Sequence, residues 1–153
     1  MAELAKAAGI SRAWLYRNFA SRDVIVRALL VREAQRFADM LTTADNRDHT
    51  VEESVTETFI YIIRRGRQDR LVNDILAMDT GAVAHLATSA LESYLSNQRA
   101  ALTPVGSRIA AEAIVRLIIS ILTSPLAAID FDDTDAVHTF ADRVIPPLLT
   151  NTP

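Results

Sequence analysis

The chain has 153 residues, half of them hydrophobic, with no cysteine and a net charge of −3 at neutral pH. That length makes about one domain, or a compact body with a small head, and the apolar half is ample for a sizeable core. Without cysteine, a disulfide framework and any thiolate metal site are excluded, which fits a reducing compartment.

The sequence reads in helical periods throughout, with no alternating β-branched run long enough for a sheet. A short helix is predicted at about 2–8, a turn at Gly9–Ser11, and a second short helix at about 12–18. Ser11 suits the N-cap of the second, because its hydroxyl can accept from a free N–H of the first turn. Ser21 then caps a longer helix of about 22–42, and Asp23 complements the positive end of its dipole. After the polar loop "TTADNRDHT", Thr50 and Glu53 form a T-x-x-E capping box that opens a helix to about Arg65. A short helix at 69–78 and a longer one from Gly81 to Leu102 follow. Pro104 and Gly106 mark a break. Ser107 to Ser124 is the most apolar helix, stopped by Pro125. Asp132 to Leu149 is the last; Pro146 and Pro147 each remove a donor there and should kink or fray its end.

Charge is divided unevenly. Residues 1–36 hold seven basic side chains against three acidic ones, a net of +4, while the remainder holds nine against sixteen, a net of −7. A basic head on an acidic body suggests a head that meets an anion, with nucleic acid the usual partner. For Arg27, Arg32 and Arg36 the solvated face of a helix is an equal reading. The uncharged stretches Thr80–Leu91 and Leu117–Ile129 are too short to span a bilayer. Residues 1–12 lack the basic start and apolar run of a signal peptide. The expectation is a soluble, cytoplasmic protein with no membrane partner.

Two short helices joined by a Gly-containing turn are the helix-turn-helix layout. Leu4, Ala5, Ala8, Ile10, Leu15 and Phe19 can form its small core, and Gly9 supplies the positive φ of the turn. That leaves Arg12, Ala13, Trp14, Tyr16, Arg17 and Asn18 on the rest of the second helix. The set is rich in groups that touch DNA: guanidiniums for phosphate or guanine, an amide for adenine, a phenol for phosphate.

On these residues, "ELAKAAGISRAWLYRNFASRDVIVRALL" resembles the DNA-binding segment of the TetR family of transcriptional repressors. Leu4, Ala5, Ala8, Gly9, Ile10, Ser11, Leu15, Tyr16 and Phe19 match the fixed positions of the family pattern. "AIVRLIISILTSP" and "RVIPPLL" resemble, more weakly, its last two helices. The resemblance implies that Arg12, Ala13, Trp14 and Arg17 face the major groove, with Tyr16 and Asn18 at its edge. Arg22 stands where the family usually grips backbone phosphate with a lysine. Trp14 either contacts a thymine methyl or packs back onto the head. Family members carry a further helix before this point, which these 153 residues do not contain. The head is therefore expected to be incomplete, with Leu4, Ala8 and Phe19 partly open to water. A shortened chain, a misplaced start and a naturally damaged head are the competing explanations.

In the body, Glu112, Arg116 and Ser120 are the strongly polar positions of Ile109–Leu122, spaced to make one narrow stripe with an ion pair between the first two. The other sides are apolar, so this helix must be covered on more than one flank. Val137, Phe140, Ala141, Val144, Ile145 and Leu148 give the last helix an apolar face. In the family these two helices and their copies form a four-helix dimer interface. Here that implies Ile109, Ala113, Leu117, Ile121, Val137, Phe140, Val144 and Leu148 at a homodimer contact; the other reading is a monomer whose last helix caps the core. Family bodies also enclose a cavity for a small inducer. Phe59, Ile62, Ile63, Ile75, Met78, His85, Leu86 and Tyr94 are the candidate lining, although their spacing is equally that of ordinary core. An apolar or amphiphilic inducer is the default.

No H-E-x-x-H, G-x-S-x-G or Walker pattern is present, and no cofactor is implied. His138 lies at helical spacing from Asp135 and Asp142, a common arrangement on inert surfaces. "DFDDTD" lacks the glycine and closing glutamate of a calcium loop. No catalytic or metal-binding residue is assigned, and an enzyme is not expected. The sequence thus predicts an all-α protein: a helix-turn-helix head, residues 1–40 with the start of a connecting helix, on a helical-bundle body, residues 41–153, for ligand binding and dimerisation. Its function would be repression by operator occlusion, released by an inducer. The alternative is a headless helical dimer that binds a small molecule or protein but not DNA.

Overall fold

The computed structural model describes residues 1–45, 49–68, 76, 79–98, 102–124 and 128–150, apart from the side chains of residues 30, 33, 34, 37, 38 and 41–45. They form seven helices: α1 (Ala2–Ala7), α2 (Arg12–Asn18), α3 (Arg22–Asp45), α4 (Val51–Gln68), α5 (Thr80–Asn97), α6 (Pro104–Thr123) and α7 (Thr134–Leu149). No strand occurs among the described residues.

Local chemistry sets most of the boundaries. The Thr50–Glu53 box is reciprocal: Thr50 N–H donates to Glu53 Oε2 at 2.8 Å and Glu53 N–H to Thr50 Oγ1 at 3.2 Å. Asp79 caps α5 by accepting from Ala82 N–H at 2.9 Å, and Asp133 caps α7 by accepting from Asp135 N–H at 3.0 Å. One boundary is corrected. Pro104 and Gly106 do not break the chain before α6 but lie in its first turn: Thr103 is the N-cap and Pro104 follows it, where a missing N–H costs nothing. Pro146 and Pro147 lie inside α7, which ends at Leu149, where the sequence places its end. The carbonyls they leave unpaired belong to Asp142 and Arg143, both on the exposed side, where water can satisfy them. The helix expected at 69–78 lies outside the described residues except for Leu76, which is buried; α5 ends at Asn97, short of the expected Leu102.

The core is built around α4. Its buried residues run from Ser54 to Gly66 and occupy most of its circumference, because α3, α6 and α7 all pack on it. Phe59 stacks on Phe140 of α7 with ring centroids 6.1 Å apart, and Phe131 meets the edge of Phe140 at 5.2 Å. On the far side α5 packs against both α3 and α6, and its Leu91 and Leu95 join Ala111, Ile114 and Val115 of α6 in the core. Gly66 lets the end of α4 close on α6: a Cβ there would lie 2.7 Å from a Leu122 methyl. Next to it, Arg67 Nε and a terminal guanidinium nitrogen donate to the two carboxylate oxygens of Asp132 at 2.8 and 2.7 Å. No described helix is long and apolar enough to cross a membrane.

Candidate nucleic-acid interface

The head is α1, a turn and α2, carried on the N-terminal end of α3. Gly9 turns the chain at φ +66°, a left-handed conformation that a Cβ would strain. Ile10 N–H returns to Ala5 C=O at 3.0 Å, holding the turn against α1. Ser11 then starts α2, its hydroxyl accepting from Trp14 N–H at 3.1 Å. Ser21 does the same for α3 through Val24 N–H at 3.3 Å.

Leu15 is the one buried residue of α2 and Ala5 the one buried residue of α1, and the two helices pack on each other. At 3.6 residues per turn, Ala13 and Arg17 fall opposite Leu15, Tyr16 and Trp14 flank them, and Arg12 and Asn18 lie nearest the packed side. All six are exposed. Trp14 keeps 47% of its surface and Tyr16 57%, so neither ring is packed away as core. Of the two readings of Trp14, the outward one fits its exposure. The Asn18 amide donates to Trp14 C=O at 2.8 Å, so one of its two N–H donors is engaged by its own helix. Arg22 is exposed at the first residue of α3, beside Asp23. Leu4 (39% exposed) and Ala8 are open to water and Phe19 is half-buried.

The body surface places the other expected residues differently. On α6, Ile109 is exposed at 63%, and Ala113 and Leu117 are half-buried. Val105, at 67%, extends this apolar stripe by one turn, on the i, i+4 spacing from Ile109 that could have found it. The Glu112–Arg116 pair forms as expected, Nε to Oε1 at 2.6 Å, and draws the Glu112 carboxyl below its ordinary range, with help from the Thr88 hydroxyl. On α7, Phe140, Val144 and Leu148 are half-buried. Ile121 and Val137 are corrections: both lie in the chain's own core, at 2% and 0% exposure, where a partner cannot touch them. Each sits on the side of its helix that faces the bundle, with Ile114 and Ile118 on α6 and with Ala141 and Ile145 on α7.

Among the candidate cavity residues, Phe59, Ile63 and Tyr94 are buried, and Ile62 and Leu86 are half-buried. Ile75 and Met78 lie outside the described residues. His85 is a correction: it is exposed, in line with Gly81, Ser89 and Ser93, while α5 turns Thr88, Leu91 and Leu95 inward.

Residues 1–29 match the family model described as bacterial regulatory proteins, tetR family. The backbone is similar to the crystal structure of the TetR family repressor AlkX from Dietzia sp. strain DQ12-45-1b, implicated in biodegradation of n-alkanes. The TM-score is 0.70 at 25% sequence identity, over 96% of this chain and 84% of that one. No curated protein matches the sequence.

Proposed function

We propose that this chain, a TetR-family regulator, represses transcription as a homodimer that occupies operator DNA through α2 and leaves it when a small apolar or amphiphilic inducer binds the body. The observation that carries this reading is α2 itself. It is a capped helix with one buried anchor, Leu15, and six exposed residues chemically suited to DNA. Arg12 and Arg17 bring charge for phosphate or guanine, Tyr16 a phenol, Trp14 an apolar plane. Ala13, small and opposite the anchor, lets the helix approach the base edges closely. Arg22 adds a phosphate contact from α3.

A dimer is supported by the apolar stripe of Val105, Ile109, Ala113 and Leu117 on α6 beside Phe140, Val144 and Leu148 on α7. Two heads about 34 Å apart would read half-sites one helical turn apart, and neither alone would bind tightly. An apolar inducer is supported by the apolar character of the body's interior and by the likeness to a repressor implicated in n-alkane biodegradation.

The test is a titration of the chain with DNA from upstream of its own gene over a range of salt. Binding should weaken steeply with salt, and Arg17→Ala and Arg22→Ala should each lower the salt slope by about 1. Salt-independent association, or slopes untouched by both changes, would remove α2 and α3 from the interface.

A further inference from the structure

The connection between α6 and α7 is fastened to the bundle at two successive residues. Phe131 is 2% exposed and packs on Phe140, which in turn stacks on Phe59 of α4. Asp132, pointing the other way, takes the Arg67 guanidinium through two bonds, across 65 residues of sequence. The turn that presents them is pre-formed. Asp132 N–H donates to Asp130 Oδ1 at 2.9 Å, and Asp133 N–H to Asp130 C=O at 3.2 Å. Immediately before Arg67, Gly66 seats α4 against Leu122 of α6 without room for a Cβ. The last turn of α4 is thus held by both α6 and the start of α7.

α4 also packs along α3, and α3 carries the head. Like α5, which packs on α3 and α6, it joins the head's own helix to the pair proposed to form the dimer contact, and it packs on both α6 and α7. A bidentate guanidinium–carboxylate pair fixes orientation as well as distance, which a packed apolar contact alone does not.

We infer that Arg67 and Asp132 form a latch that locks α4 to the α6–α7 pair and thereby fixes the spacing of the two DNA-binding heads. Both are positioning residues, remote from DNA. The inference rests on the dimeric, DNA-binding reading above. With the latch closed, movement of the subunit pair is carried through α4 to α3. With it open, α4 keeps its apolar packing but loses its angular restraint, and the heads sample a wider range of separations.

Because the chain lacks cysteine, Ala7→Cys, an exposed position in α1, gives one spin-label site per head. The distance distribution between labels is measured in the otherwise unaltered chain and in Asp132→Asn, Arg67→Gln, Asp130→Asn and the exchanged pair Arg67→Asp with Asp132→Arg. The distribution should shift and broaden for the two single latch changes, narrow again for the exchanged pair, and stay unchanged for Asp130→Asn, which alters charge but keeps the turn's acceptor. Affinity for operator DNA should fall at least about fivefold with the latch open, the lower end of ordinary coupling between sites. Identical distributions for the parent and both latch variants would overturn the latch alone. No dipolar signal in the parent would remove the dimer, and the latch with it.

Discussion

The head and the body solve the same folding problem with very different means. In the head, two short helices bury Ala5 and Leu15 and leave Leu4, Trp14 and Tyr16 open. In the body, α4 is packed against three other helices, and Phe59, Ile63, Leu91, Leu95, Ile114 and Ile145 are almost wholly buried. The head is fixed by local bonds, among them a glycine turn and two serine caps; the body is fixed by its interior. A helix that must offer its side chains to another molecule cannot also bury them. The contrast is the division between a surface made to be read and a scaffold that holds it.

That contrast can be broken from either side. The largest effect belongs to the body: Phe59→Ala removes a ring stacked on Phe140 and should cost about 3–5 kcal/mol in global unfolding, read by thermal or denaturant melting. Leu15→Ala should act elsewhere, abolishing salt-sensitive DNA binding while the melting of the body changes little. A smaller cost falls on the turn. At Gly9 nothing lies within 4 Å of an added Cβ, so Gly9→Ala isolates backbone strain, about 1–2 kcal/mol confined to the head, measurable as lost hydrogen-exchange protection in α1 and α2. Cap removal compares the regions directly. Ser11→Ala and Thr50→Ala should each cost about 1 kcal/mol, the first reducing DNA affinity and the second lowering only the melting temperature.

The smallest effect is the pH dependence. Glu53 is held below its ordinary pKa by the backbone and hydroxyl of Thr50, Glu112 mainly by Arg116, and Asp132 mainly by Arg67. A carboxyl whose pKa is lowered by folding binds its proton more readily in the unfolded chain. Its contribution is therefore complete above the ordinary carboxylate pKa and is lost as pH falls through the lowered one. Between about pH 6 and 8 these groups contribute in full and melting temperature should not vary with pH on their account; it should decline only below about pH 4.5.

What was legible in the sequence was what acts over three or four residues. Ser11 as a cap, Gly9 at positive φ, the Thr50–Glu53 box and the Glu112–Arg116 pair each depend on neighbours along one helix, and each forms as the spacing demands. The exposed side of α2 followed from subtracting its core positions. Where the reading failed, the deciding partner lay far away in sequence. Ile121 and Val137 share the apolar character of their outward neighbours, and which apolar residues turn inward depends on how α6 and α7 lean on α4. His85 sits in an apolar stretch, yet α5 presents a different side to α3 and α6. Pro104 carries the same signal for a break and for a first helical turn; the Thr103 cap decides between them. Arg67 and Asp132 gave no signal at all, since an arginine in a helix and an aspartate before the next one become a pair only when the bundle closes.

The most direct test of the account uses the single tryptophan. Trp14 stands on the exposed side of α2, so its emission should be that of a largely solvated indole in the free protein. Added operator DNA at low ionic strength should change it, and added salt should restore it. Emission that is indifferent to DNA, with the body still folded, would contradict the assignment of α2 as the surface that reads DNA.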